Sequence, residues 1–173
     1  MQIRLYPDPV LRQKCQEIGR EGFGEKLRQL ASCMLEIMYA TAGLGLAAPQ
    51  VGLSVRIIVA DHTRDRSSPL VLVNPRIVGA QGEDVADEGC LSIPGIRARV
   101  RRYQKVTAEY ETLERRNDCV DAAGLLARIL QHETDHLDGV LFIDRLGATD
   151  KLAVRGALRR LASTVKQLKD DRG

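Results

Sequence analysis

The chain has 173 residues, of which 44% are apolar and 28% are charged, and its formal net charge is +3. This length suits one domain with a core of its own, and the composition excludes a disordered chain. No apolar run approaches the roughly 18 residues of a membrane-spanning helix, and so small a charge does not favour DNA binding. We expect a soluble globular protein in which residues 1–173 form a single domain.

The first part of the chain predicts one helix followed by strands. Over residues 25–42 apolar side chains recur every three or four positions, which is typical of an amphipathic helix. Short segments rich in β-branched residues follow at residues 55–60, 70–73 and 76–78, and turn-forming residues bound them. Residues 105–111 alternate charged and less polar side chains, which predicts a half-exposed strand.

Two more helices are predicted near the end of the chain. The first covers residues 124–137, and Gly139 is placed to cap it. The second runs from a cap at Thr149 or Asp150 to Asp170 and carries many basic residues. Such a basic face is typical of a solvated helix surface, and the alternative is a docking surface for an anionic partner. The element order predicts an α+β fold, with a helix packed into mixed or antiparallel sheets.

The helix predicted at residues 124–137 contains an HExxH motif, formed by His132, Glu133 and His136. Residues four apart on a helix face the same way, so the two imidazoles can bind one cation between them. Proteases with this motif take a third ligand from downstream, as a glutamate or a histidine. Neither residue type follows His136 in this chain, so the third ligand is expected upstream.

Cys90 is the best upstream candidate for the third metal ligand. It lies in the segment EGCLS at residues 88–92, where Gly89 lets the backbone pass close to another group. A thiolate is a strong soft ligand, and the alternative is that Cys90 is a small buried hydrophobic residue. Two imidazoles and one thiolate leave a fourth tetrahedral position for water, which is typical of a catalytic site.

Three motifs in fixed order give the chain a specific resemblance. They are GLGLAAPQ at residues 43–50, EGCLS at residues 88–92 and QHETDH at residues 131–136. In these motifs, and over most of its length, the chain resembles the peptide deformylases. The resemblance implies an α+β fold with mixed or antiparallel sheets packed around a central HExxH helix, and with N-terminal and C-terminal helices. It also implies removal of the formyl group from N-formylmethionine of nascent polypeptides, with release of formate.

This resemblance implies a set of catalytic residues. A metal-bound hydroxide would attack the formyl carbonyl, with Glu133 as the general base that later returns the proton to the leaving nitrogen. The side-chain amide of Gln50 and the backbone N–H of Leu91 would stabilise the oxyanion. Gly43 and Gly45 suit a segment along which an extended substrate pairs like an added strand, and we count Gly45 among the catalytic residues.

The methionine side chain of such a substrate requires an apolar pocket. Leu44, Leu125 and Ile129 are candidates for it, with core packing as the alternative for the last two. Gly89 completes the predicted substrate-binding set. Arg128, in the same helix, stands where the family resemblance implies an apolar residue, so the resemblance leaves the shape of this pocket open.

Two charged residues outside the metal ligands are predicted to support them. Glu88 and Arg102 can form a pair that fixes the EGCLS loop, and the alternative is that both are ordinary surface charges. The other cysteines, Cys15, Cys33 and Cys119, have no partner in any motif and are not expected to form disulfides.

One divalent metal ion is the expected cofactor. Cysteine and histidine ligands suit Fe²⁺ and Zn²⁺ and also accept Ni²⁺ or Co²⁺, and the resemblance favours Fe²⁺ in the cell. The first residues lack the features of a secretory signal, and formylmethionine starts chains in bacteria, so we expect a bacterial cytoplasmic protein. The partners expected are N-formylmethionyl nascent peptides and, through the basic C-terminal helix, the ribosome, with no DNA and no membrane.

Two other functions compete with this one. A metalloprotease of the HExxH type would need a third ligand downstream, and its metal content would not depend on Cys90. A structural Cys/His site in a binding module would need a fourth protein ligand, and it gives no reason for a glutamate beside the metal.

Overall fold

The computed structural model describes residues 1–63 and 65–170. In this part of the chain the helices are α1 (Glu25–Ala40), α2 (Gly124–Leu137) and α3 (Ala148–Asp170). The strands are β1 (Gly45–Ala47), β2 (Ile57–Ala60), β3 (Leu70–Gln81), β4 (Asp84–Cys90), β5 (Ile93–Arg102), β6 (Lys105–Glu111) and β7 (Asn117–Ala123). None of the described helices has both the length and the apolar character that crossing a bilayer requires.

The strands form two sheets, and within each sheet every pair of neighbouring strands is antiparallel. Five strands form one sheet in the order β1-β2-β3-β6-β7, and β4 and β5 form a separate hairpin. The α+β prediction is therefore confirmed, and of the two sheet types left open the structure has the antiparallel one.

Alternate residues of β2 show how the five-stranded sheet divides the core. Ile57 and Val59 pack in a cluster with apolar residues of α1. Ile58 and Ala60 pack in a second cluster with apolar residues of α2. Successive side chains of a strand point to opposite faces, so α1 covers one face of this sheet and α2 the other.

The hairpin and α3 complete the surroundings of α2. Ile96 and Val100 of β5 pack with apolar residues of α3. Arg128 of α2 donates hydrogen bonds to Glu88 of β4 and to the backbone carbonyl of Val100. As a result α2 is buried at every residue from Ala127 to Leu137, which confirms the prediction of a central HExxH helix between N-terminal and C-terminal helices.

The observed helix ends differ slightly from the predicted ones. Helix α1 ends at Ala40 rather than at Ala42, because Ala42 has a left-handed backbone with φ of 54°. The amide of Gly43 then donates to the carbonyl of Met38, which closes the helix end. Helix α3 begins at Ala148, one residue before the expected cap.

The two strands predicted at residues 70–73 and 76–78 are parts of one strand, β3. Asn74 interrupts the pattern with a left-handed backbone, φ 51°, and its side chain bonds both the amide and the carbonyl of Ile18. These bonds hold the irregularity, and the pairing with β6 shifts register there. Strand β2 begins at Ile57, two residues later than predicted.

Four strands were not predicted from the sequence. Strand β1 has only three residues, and β4 and β7 each carry three acidic or amide residues among seven, which interrupt the apolar alternation. Strand β5 does alternate, with Ile96, Ala98 and Val100 less exposed than the arginines between them. Its inward face ends at the buried Arg102, where an apolar residue is expected, so the pattern is incomplete.

Candidate metal centre

Two elements bring the predicted metal ligands together. Cys90 ends β4, and His132 and His136 lie one turn apart on α2. The ligand atoms of these three residues lie within 4.8 Å of one another. Cys90 Sγ is 3.2 Å from His136 Nε2. The structure thus contains a Cys/His/His group that could hold a metal ion.

The chemistry of this donor set fits a divalent metal with cysteine and histidine ligands. His132 Nδ1 lies 3.0 Å from Glu88 Oε2, so a proton shared there leaves Nε2 free to ligate. Three protein ligands also match the number found in catalytic zinc sites.

Burial affects the two imidazoles differently. It lowers the pKa of His136 well below its usual value, so this ring is neutral, as a metal ligand must be. Burial also acts to lower the pKa of His132, but hydrogen bonds with Cys90 and Glu88 raise it to about 10. Binding of a cation would therefore displace a proton from His132.

The predicted pair between Glu88 and Arg102 is present, and both residues are buried. Arg102 Nε donates to Glu88 Oε1 at 2.9 Å, and Nη2 donates to Oε2 at 3.0 Å. Burial alone would raise the pKa of Glu88, but hydrogen bonds from His132 and Arg102 lower it to about 2. Glu88 is therefore an ionised carboxylate beside His132, a predicted metal ligand, and the interpretation as a surface charge is wrong.

Sequence reasoning missed several residues around this pair. Asp135 accepts from Arg102 at 2.6 Å and from Arg145 at 2.5 Å, and Arg128 donates to Glu88 at 2.7 Å. These residues come from separate parts of the chain, so no spacing reveals their contacts. One available signal was the charged residue Arg128, which lies in sequence between the apolar residues Leu126, Ala127, Ile129 and Leu130.

Glu133 lies inside the site and has an unshared oxygen. Its side chain is buried, and Oε2 has no hydrogen-bond partner among the described residues. Burial raises the pKa of Glu133 to about 7. A β-carbon at Gly45 would lie 2.5 Å from Oε1 of Glu133. Glycine is therefore needed at position 45 because Glu133 comes so close, and not because the backbone there has a positive φ. The sequence analysis had assigned Gly45 to a segment that pairs with the substrate and had not predicted this contact with Glu133.

Gln50 is buried in a single 3₁₀ turn, Ala48–Val51, and is not the exposed loop residue that its type alone predicts. Its Oε1 accepts from the amide of Ala47 at 2.8 Å, which fixes the carboxamide. Its Nε2 lies 3.4 Å from both Cys90 Sγ and Ser92 Oγ, a contact that the sequence did not suggest. The N–H groups therefore point toward Ser92 and toward Cys90, one of the predicted metal ligands.

A cleft of about 540 Å³ opens beside these groups. The predicted site residues that line it are Gly43, Leu44, Gly45, Gln50, Gly89, Cys90, Leu91, Leu125, Ile129, His132 and Glu133. His136, which is 1% exposed, lies behind them. Leu125 is 50% exposed, so core packing is the wrong interpretation for it, whereas Ile129 belongs both to the core and to the cleft.

A second cavity of about 510 Å³ touches the other side of α2. It contains none of the predicted metal ligands. The arginines that line it are Arg56, Arg76, Arg101, Arg102 and Arg145, and each of them forms an ion pair with a carboxylate. We therefore place the functional site in the first cleft.

Comparison with known proteins gives agreement in sequence and in fold. The sequence profile of the family described as polypeptide deformylase matches residues 1–152. A peptide deformylase of Dictyoglomus thermophilum is 45% identical over 144 residues, covering 83% of this chain and 91% of the relative. A crystal structure of peptide deformylase 1B from Arabidopsis thaliana, in complex with an inhibitor, has a TM-score of 0.90 at 40% identity, covering 96% and 93%. A peptide deformylase structure from Legionella pneumophila has a TM-score of 0.86 at 38% identity, covering 98% and 96%.

Proposed function

The chain belongs to the polypeptide deformylase family of metal-dependent hydrolases, and we propose how its residues remove the formyl group from N-formylmethionine of nascent polypeptides. The observation that carries the proposal is the convergence of Cys90, His132 and His136 beside the buried Glu133 in one cleft. A protease would need a downstream ligand that the chain lacks. A structural site would not need the unpaired glutamate oxygen beside its ligands.

Cys90, His132 and His136 would hold one divalent cation. When bound, this cation supplies Lewis acidity, which lowers the pKa of a water and polarises the formyl oxygen. We propose Fe²⁺ in the cell, and the same donors accept Zn²⁺, Ni²⁺ or Co²⁺.

Glu133 is the proposed general base and acid. The oxygen of a water attacks the formyl carbon, and its proton passes to Oε2 of Glu133. The C–N bond then breaks, and Glu133 returns the proton to the leaving nitrogen, which yields formate and a free amino terminus. Gly45 supports this role, because its missing side chain leaves the space that the carboxylate of Glu133 occupies.

Gln50 and Leu91 are the proposed oxyanion donors. The carboxamide of Gln50 is fixed through Oε1, so its N–H groups need no reorganisation during the reaction. Leu91 follows Cys90 directly in the turn between β4 and β5, and this neighbouring position supports the proposal that its backbone N–H faces the bound formyl group.

The substrate would lie along the cleft between β1 and the hairpin. We propose that its backbone pairs with the segment Gly43-Leu44-Gly45 and passes Gly89, while its methionine side chain contacts Leu125, Ile129 and Leu44. Besides its oxygen and nitrogen, a formyl carbon carries only a hydrogen, whereas the carbonyl carbon of an internal peptide bond carries the rest of a residue. A narrow metal pocket would therefore admit the formyl group and exclude the internal peptide bond.

Three further assignments belong to this proposal. Residues 1–173 act as a single catalytic domain, and the site of action is the bacterial cytoplasm, where formylated chains are made. The exposed basic residues of α3 contact the ribosome; they are Lys151, Arg155, Arg159, Arg160 and Lys166. If replacing these five residues with glutamine leaves co-sedimentation with ribosomes unchanged, the ribosome contact is wrong.

Formate release from a formyl-methionyl tripeptide tests the main proposal. The acetylated tripeptide and a longer unformylated peptide serve as controls, and we expect neither to be cleaved at a comparable rate. Glu133→Ala should lower turnover by about 10²- to 10⁴-fold while the metal content stays equal to that of the parent protein. Cleavage of the unformylated peptide, or full turnover by Glu133→Ala, would contradict the proposal.

A further inference from the structure

Arg128 is a buried charge on the cleft-lining face of α2. It lies four residues before His132, so both side chains occupy the same side of the helix. Its Nη1 donates to Glu88 Oε1 at 2.7 Å and to the carbonyl of Val100 at 2.9 Å. Its Nη2 lies 3.0 Å from Asp84 Oδ2. The guanidinium therefore joins α2 to both strands of the hairpin.

Glu88 has a particular need for this second cation. A buried carboxylate is costly unless it is paired and hydrogen-bonded, and Glu88 also holds His132 at 3.0 Å. Arg102 contacts Glu88, but its Nη1 also serves Asp135 at 2.6 Å. Arg128 supplies Glu88 with a cation that is not shared with Asp135.

We propose that Arg128 is a positioning residue for the metal centre. By fixing Glu88 it keeps the His132 ring turned with Nε2 toward the cation, and it holds α2 against the hairpin that carries Cys90. Each of these two elements supplies part of the ligand set, so loosening the contact between them should speed the loss of metal. The inference depends on the proposed metal ligands and not on the formyl substrate.

The test compares the rates at which metal-loaded variants release Co²⁺ or Zn²⁺ to a chelator in excess. Arg128→Met keeps most of the side-chain length and removes the charge, and we expect release about tenfold faster than in the parent protein. Arg128→Lys keeps the charge but not the fork of donors, and it should restore part of the difference. In the Co²⁺ form, Arg128→Met should also shift the thiolate-to-cobalt absorption.

Two control variants separate this role from general effects on the fold. Arg101→Met removes an exposed arginine of the same hairpin, whose side chain is 68% exposed and paired with Glu83. Asp84→Asn removes the partly exposed partner of Arg128 and leaves the contact with Glu88. Both should release metal within about twofold of the parent rate, because neither touches Glu88 or a ligand.

Three results would overturn the inference. The first is release of metal by Arg128→Met at the parent rate. The second is equal acceleration in Arg128→Met, Arg128→Lys and Asp84→Asn, which would mean that the contact of Arg128 with Asp84, and not its contact with Glu88, carries the effect. The third is a tenfold fall in turnover per bound metal in Arg128→Met while metal release is unchanged, which would mean that Arg128 acts on the substrate and not on the metal ligands. Because metal release needs no peptide, a failure of the deformylase proposal would be seen separately.

Discussion

The two sheets that flank α2 meet it with different side chains. The five-stranded sheet packs buried apolar residues such as Ile58, Leu72 and Val106 against the helix. The β4–β5 hairpin meets it with the charged side chains of Glu88 and Arg102. One helix thus has a face that stabilises the fold and a face that carries chemistry.

This difference affects what each contact contributes. Burial of apolar surface stabilises the fold at about 25 cal/mol for each Å². Burial of charged groups costs free energy that good pairing only offsets, so a buried ion network is weak evidence for stability. We infer that the hairpin keeps its charges for the metal ligands and not for the stability of the chain.

The largest expected effect concerns the face of α2 that carries the chemistry. It is tested by replacing one cysteine in each sheet. Cys90→Ala removes a ligand, and we expect metal affinity to fall by about 10³-fold, or about 4 kcal/mol, with turnover falling to background. Cys119→Ala changes an exposed cysteine of β7 in the five-stranded sheet and should leave both quantities unchanged. Metal analysis after dialysis and formate release measure the difference. Metal content that is equal in the two variants would break the comparison.

The next prediction concerns the stabilising face. Leu72→Ala creates a cavity at a fully buried position of β3, and we expect it to lower the free energy of unfolding by about 3 kcal/mol. Val78→Ala, at a 52% exposed position of the same strand, should change it by less than about 0.5 kcal/mol. Urea unfolding of the metal-free proteins checks both values. Turnover of metal-loaded Leu72→Ala below its unfolding range should match that of the parent, and a tenfold loss would show that the two faces are not separate.

Strand β1 belongs to the five-stranded sheet but also borders the site. A substitution in this strand therefore tests how far the two faces of α2 are independent. Gly45→Ala would bring a β-carbon to 2.5 Å from Glu133 Oε1 and 2.8 Å from Ile129 Cγ2. Displacement of Glu133, the proposed general base, should lower kcat by about tenfold with the metal still bound. Gly79→Ala in β3 meets only Thr107, at 3.3 Å, and should leave kcat unchanged. Equal kcat values for the two variants would contradict the proposed position of Glu133 beside Gly45.

The smallest expected effect comes from exposed ion pairs, and one pair beside each sheet allows the comparison. Arg76 pairs with Glu17 beside the five-stranded sheet, and Arg101 pairs with Glu83 in the hairpin. Arg76→Met and Arg101→Met should each change the melting temperature by less than about 2 °C, because exposed pairs are screened by solvent. A much larger shift for Arg101→Met would mean that charges stabilise the hairpin, against the inference above.

The stabilising face was the more predictable part of the fold. Strand β6 and helix α2 have the predicted bounds, residues 105–111 and 124–137, because apolar periodicity marks both. The hairpin was missed because its inward positions include Glu88 and Arg102, and a buried charge on a strand looks like a loop residue in sequence. The buried charges that support the site are therefore the reason why the strands that carry it were not predicted.

The candidate site was predictable only where its residues are local in sequence. His132, Glu133 and His136 follow from helical spacing, and Cys90 was found by its motif. Arg128, Asp135 and Arg145 were missed as a network, because their contacts depend on how the hairpin docks on α2. Such docking is set by the tertiary fold and leaves no spacing in the sequence.

The most direct test of the central claim is a metal titration of the metal-free protein with formate release as the readout. We expect no formate without metal, a rate from a formyl-methionyl peptide that rises in proportion to bound metal, and saturation at about one cation per chain. The Cys90→Ala protein should show no such rise over the same range of added metal. Formate release from the metal-free parent, or none when the parent is fully loaded, would contradict the account.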